Sequence, residues 1–286
     1  MIRYDHKYSS NTMDKRYSGG VKQNVVDVAM YSSLTEFTNT LIASGAQDKY
    51  GDYSGWSGRG TMQQSCATLL SGVSVAETAT AKNLIAKINA KVENRQRFER
   101  VPSVYGSSVR IGAFLRGEPN DMMRRKRMIS DVAPVKIVIE NTVAGGIDHD
   151  QMLQRGSACA ALVQALCNIR PVEMWVSWGL GGGNHSTIGM AKISTTPANL
   201  SQLVAALATP NAARKLAFAE IQEVRGHQYG GWAIGYPDGA ARNEEYRKAI
   251  RLKEQDIFIA GGALQEGRMM ERDPVAWVNK YLDAQR

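Results

Sequence analysis

The feature that most constrains this chain is a strand, a helix and a second strand packed into about 40 residues between Val135 and Val176. Val135-Lys-Ile-Val-Ile-Glu140 is a short, β-branched strand. After the Gly145-Gly146 loop, Asp148 stands where a side chain caps a helix. Leu162, Val163, Leu166 and Ile169 then recur at i, i+1, i+4 and i+7, one face of that helix. Its earlier turns hold Gly156, Ser157, Ala158, Ala160 and Ala161, small enough to approach a sheet closely. Val172-Glu-Met-Trp-Val176 is the next strand. Such a unit carries a parallel strand pair joined by a right-handed crossover.

The alternation continues downstream. Ile188 to Ile193 reads as a strand, and Leu200 to Leu207 and Ala212 to Val224 read as helices separated by Pro210. Asp256-Ile-Phe-Ile-Ala260 is a compact strand ending in Gly261-Gly262. Asp273 and Pro274 open a terminal helix that turns Val275, Val278 and Leu282 inward. The pattern predicts an α/β fold over 131–286, three-layered with a mostly parallel sheet. Upstream, 1–28 is polar, carries Arg3, Lys7, Lys15, Arg16 and Lys22 and lacks an apolar period; it reads as a basic arm. Residues 29–130 read as a smaller, mainly helical region. Capping boxes at Ser33-Leu-Thr-Glu36 and Ser74-Val-Ala-Glu77 each open a helix. Ser108 to Leu115 alternates as a strand and runs into the turn Arg116-Gly-Glu-Pro119.

With 43% apolar and 22% charged residues the chain is globular in composition. No apolar run approaches the ~20 residues that span a bilayer, and the N-terminus has no apolar core of a secretory signal. Cys66, Cys159 and Cys167 are odd in number and lack metal-site spacing, which favours an intracellular protein with reduced thiols. A net charge of +8 favours encounter with polyanions without identifying one.

Four constellations carry chemistry. Arg124, Arg125, Lys126 and Arg127 form a basic run that either neutralises phosphates or serves as a solvated linker. Two Gly/aromatic loops, one with Tyr50, Tyr53, Trp56 and Arg59 and one with Tyr229, Trp232 and Tyr236, either stack bases or fold back onto the core. Gly179 to Thr187 follows a strand as a nucleotide loop would, but lacks the Gly-Lys-Ser/Thr ending and the G-x-G-x-x-G pattern. Asp148-His149-Asp150 splays its side chains apart, the four histidines lack ligand spacing, and no G-x-S-x-G elbow is present. No metal, cofactor or catalytic residue is expected.

The unit 135–176, with Ile257-Phe-Ile-Ala-Gly-Gly262 and Asp273-Pro-Val-Ala-Trp-Val278, resembles a von Willebrand factor A-type (vWA-like) or Rossmann-like domain. Gly55-Trp56, Phe114-Leu-Arg-Gly-Glu-Pro119 and Arg155 to Leu166 further resemble a family of uncharacterised tailed-bacteriophage proteins. The vWA comparison implies a metal site of the form Asp-x-Ser-x-Ser after the first strand. Glu140-Asn-Thr-Val-Ala144 stands there instead, so that site is degenerate. A phage origin implies a host bacterial cytoplasm or a virion.

The leading expectation is a non-enzymatic protein that binds a protein partner or self-assembles. Its working edge would be the strand ends, with Glu140, Asn141, Thr142, Ser177, Trp178 and Gly261. The alternative is a nucleic-acid-binding protein using Arg124, Arg125, Lys126, Arg127, Trp56, Arg59 and Trp232. A second alternative is an enzyme with a nucleotide near Gly179 to Thr187.

Overall fold

The computed structural model describes residues 2–8, 24–47, 56–92, 98–127, 134–143, 146–182, 185–195, 199–226, 247–248, 250–261, 270 and 272–284. Its main sheet has six strands: β1 (Ile2–Tyr8), β2 (Asn24–Tyr31), β6 (Val135–Glu140), β7 (Val172–Gly182), β8 (His185–Ile193) and β9 (Ile257–Ile259). They lie in the order β1-β2-β8-β7-β6-β9. β6 is parallel to both β7 and β9, and β2 is parallel to β8, whereas β1 against β2 and β7 against β8 are antiparallel.

The expected β-helix-β unit is present as β6, α5 (His149–Cys167) and β7. Asp148 Oδ1 accepts from Gln151 N at 2.8 Å, so the capping residue is the one anticipated. Among the small residues of α5, Gly156 serves a different neighbour from the one expected. A Cβ on Gly156 would lie 2.4 Å from that of Ala208, so at this residue the close approach is to α6 (Leu200–Ala208).

One sheet face presents Ala29, Tyr31, Ile137, Ile139, Met174, Val176, Trp178, Ala191, Ile193, Ile257 and Ile259 to the helices. α1 (Leu34–Ala43), α2 (Met62–Ser71) and α3 (Val75–Val92) share this core with α5, α6, 211–224 and α8 (Pro274–Ala284). The apolar core therefore runs continuously across residue 130, where the composition changes. Segment 211–224, here α7, has wide π turns at Asn211–Leu216 and Glu220–Val224 around one ordinary turn, Ala217–Ala219. On the other face, Val28, Val138, Trp175, Ile188 and Met190 pack under Ile250, with Leu252 and Phe258 beside them. The result is a three-layer α/β fold with a mostly parallel sheet.

Four local expectations are corrected. The basic arm contains β1 and β2, because Val25, Val26 and Val28 favour strand and β8 offers a parallel edge. Ser108 to Leu115 is not one strand: β4 covers only Ser108–Val109, and a short helix, α4 (Ile111–Leu115), follows. The basic run is not a linker. It lies in β5 (Met122–Arg127), the middle strand between β3 (Phe98–Ser103) and β4. The Gly179 to Thr187 run is a hairpin, pairing Gly179 with Ile188 and Gly182 with His185, with Gly183 and Asn184 outside the described residues. Antiparallel pairing occupies the backbone amides that a phosphate loop would have to present.

Candidate functional site

The strand-end residues are brought together, but under cover. Glu140, Asn141, Thr142, Ser177 and Gly261 are all buried where β6, β7 and β9 end. Gly261 N donates to Glu140 Oε2 at 2.8 Å. Arg155 donates to the carbonyls of Glu140 at 3.0 Å and Ala260 at 3.1 Å. Asn141 N donates to the Ser177 carbonyl at 2.8 Å, and Gly179 N donates to Thr142 Oγ1 at 3.1 Å. Asn141 Nδ2 reaches the Ala206 carbonyl on α6 at 3.2 Å. A Cβ on Gly261 would sit 1.8 Å from the Thr142 carbonyl oxygen, so only glycine fits there. Asn141 Oδ1 and Ser177 Oγ have no hydrogen-bond partner among the described residues. They point to opposite faces of the sheet: Ser177 is beside Glu140, while Asn141 faces α6. These donors and acceptors knit three strands to two helices, and they do not converge on a ligand position.

Trp178 lies elsewhere, on the helix-covered face. Its indole crosses Gly189, where a Cβ would meet Nε1 at 2.1 Å. Nε1 donates to Glu220 Oε2 at 2.9 Å, and Tyr31 Oη donates to Glu220 Oε1 at 2.9 Å. Arg225 lies 3.6 Å from Glu220 and 2.5 Å from Asp27. Burial pushes the Glu220 carboxyl above its ordinary value, against the opposing pull of Arg225, Trp178 and Tyr31. Sequence reasoning missed this cluster. Its one legible signal was a glutamate inside the apolar run Ala217-Phe-Ala-Glu-Ile221.

The aromatic candidates divide. Trp56 packs against Phe218 with ring centroids 5.6 Å apart, and the guanidinium of Arg214 sits 5.0 Å above its ring. Arg214 and Lys215, buried on α7, donate to the carbonyls of Trp56 at 2.9 Å and Gly60 at 2.5 Å. That side of the loop is therefore folded onto the core, leaving the Arg59 side chain exposed. Trp232 and its loop lie outside the described residues. Among the described residues no group of three or more His, Cys, Asp or Glu is placed to hold a metal ion. Burial raises the Cys66 and Cys167 thiols to about 11, so neither is a ready nucleophile.

Residues 98–127 present an open surface. Arg124 stacks on the Tyr105 ring at 5.0 Å and donates to its hydroxyl. Arg125 faces Arg100 across the ladder and Lys126 faces Glu99, all four exposed; Arg127 pairs with Phe98. Arg110 and Arg116 both approach Glu118, at 4.0 and 2.7 Å. Gly106 lets the turn close on β5, because a Cβ there would lie 2.1 Å from the Met123 carbonyl oxygen. Within this unit only Ala113 is buried among the described side chains. Val104, Tyr105, Val109, Ile111, Phe114 and Leu115 are 52–76% exposed. A surface of this kind can bind.

Residues 13–284 match the model of a family described as a domain of unknown function, DUF7192, and the chain belongs to that family. No curated protein and no solved structure matches.

Proposed function

We propose that this protein, a member of a family with no assigned activity, is a non-enzymatic binding protein that docks a protein partner through 98–127. One observation carries the reading. Six large apolar side chains within 12 residues stand exposed on a unit with one buried side chain among those described. A three-stranded sheet of this size is marginal without an apolar face to cover, and contiguous exposed apolar surface marks an interaction site. Glu140, Asn141, Thr142 and Ser177 at the strand ends are, by contrast, buried.

The vWA-like relationship belongs to this proposal. It is supported by β6, α5 and β7 in parallel register, β9 beside β6, and Gly261 following β9. So do an origin in a tailed phage and a place in the infected host's cytoplasm or the virion, which rest on sequence resemblance. Among the described residues no helix is long and apolar enough to cross a membrane.

A nucleic-acid reading is favoured by one specific observation, the exposed Arg125 and Lys126 on the central strand of a basic sheet. Site-specific photo-crosslinking in the native host separates the two. With the crosslinker at Phe114, a discrete protein adduct is expected that is absent with the crosslinker at Val75, itself 78% exposed. Crosslinks to nucleic acid alone, or the same faint pattern from both positions, would remove the protein-docking reading.

A further inference from the structure

We infer that the partner's contacting segment is acidic and amphipathic, presenting apolar side chains to Ile111, Phe114 and Leu115 and carboxylates to the basic side chains of 98–127. This inference rests on the docking reading above. Residues 98–127 hold seven Lys/Arg against three Asp/Glu, a net +4, half of the +8 of the whole chain in about a tenth of its length. Arg110 and Arg116 bracket α4 in sequence, and Arg116, Arg125 and Lys126 are exposed. Arginine forks favour planar carboxylates, and complementary charge sets encounter rate and register.

Three other occupants fit less well. A second copy would bring +4 against +4. A nucleic acid would match the positive charge, yet its phosphates and sugars leave Ile111 and Leu115, 71% and 76% exposed, without an apolar counterpart. A strand added to the outer edge of β3 would meet Pro102, which has no N–H to donate, and the charges of Glu99 and Arg100. The apolar side chains therefore meet the partner face-on, as anchors.

Fluorescence anisotropy with defined probes tests this on the full chain. The probes are a helical peptide of about 16 residues with Leu and Phe on one face and Glu on the other, the same peptide with Lys for Glu, and a single-stranded DNA of about 30 nucleotides. The acidic peptide should bind at least tenfold tighter than either other probe, and more weakly as salt rises. Phe114→Ser with Leu115→Ser, and separately Arg116→Glu with Arg125→Glu, should each cost tenfold or more in affinity without lowering Tm. Equal binding of the acidic and basic peptides, lost in the serine variant, overturns the acidic partner and leaves the docking surface standing. Self-association in sedimentation that the serine variant abolishes does the same, in favour of a second copy. Preferential DNA binding indifferent to Phe114→Ser overturns both, as does a monomer that binds none of the probes.

Discussion

The ends of β6, β7 and β9 and the unit 98–127 are opposites. The first gathers Glu140, Asn141, Thr142 and Ser177, each at most 6% exposed, and uses them to bind backbone to backbone. The second gathers valine, isoleucine, leucine and aromatic side chains and leaves them more than half exposed. In most folds these residue types would be exchanged. Polar side chains buried at strand ends are there because terminal amides and carbonyls beneath helices have no water to bond. On the proposed reading, apolar side chains left outside are there for a partner to cover. On that reading the docking surface is the basic sheet and not the sheet edge.

The contrast is sharpest where the buried polar network is broken, and Glu220→Ala should have the largest effect. It removes the acceptor of both Tyr31 Oη and Trp178 Nε1 and one of the two carboxylates near Arg225. Removing one partner of a buried charged pair typically costs about 3–5 kcal/mol. Urea denaturation should find a loss in that range, and a loss below about 1 kcal/mol would mean the cluster is not a stabilising unit. Gly261→Ala comes next, at about 1–3 kcal/mol, because the added methyl collides with backbone at Thr142 and not with a side chain that can turn away.

These positions also show what was legible. The β6-α5-β7 unit, the Asp148 cap and the helix after Asp273 are local events, written in β-branched runs and capping side chains. Ala276 N does reach Asp273 Oδ1, at 2.9 Å. At Ser33 the box is shifted by one: Glu36 N bonds Ser33 Oγ at 3.0 Å while its carboxylate returns to Ser32. The α2 start, Thr61-Met-Gln-Gln64, was equally local and was passed over beside a glycine-rich loop. The clustering of Glu140 with Gly261, or of Tyr31, Trp178 and Glu220, depends on strand order, which no spacing encodes. The exposure of Phe114 and Leu115 was hidden for the same reason: an apolar residue reads as core until the fold places it.

Titration probes the buried network more gently. The Glu220 carboxyl is shifted upward, so the folded protein keeps its proton to higher pH than the unfolded chain does. That contribution is fully present below the unfolded value, about 4.3, and is lost as pH rises through the folded value. Wild type should therefore lose stability relative to Glu220→Gln as pH rises across that window, by at most ~1.4 kcal/mol per pH unit. Paired denaturation curves at successive pH values measure it. A difference that stays flat would mean that Arg225, Tyr31 and Trp178 hold the carboxylate ionised against its burial.

The smallest effect is expected where the apolar residues are most conspicuous. Ile111→Ser with Leu115→Ser changes two side chains that are 71% and 76% exposed, and stability should move by no more than about 0.5 kcal/mol. The same substitutions at Ile137 and Ile139, which are fully buried, would each remove core packing worth several kcal/mol. A large loss at Ile111 and Leu115 would show that these residues already have a cover within the chain, and the open surface would then be closed. A silent double variant that still unfolds with wild-type cooperativity leaves their apolar character without a role in folding, and a partner is what it is then for.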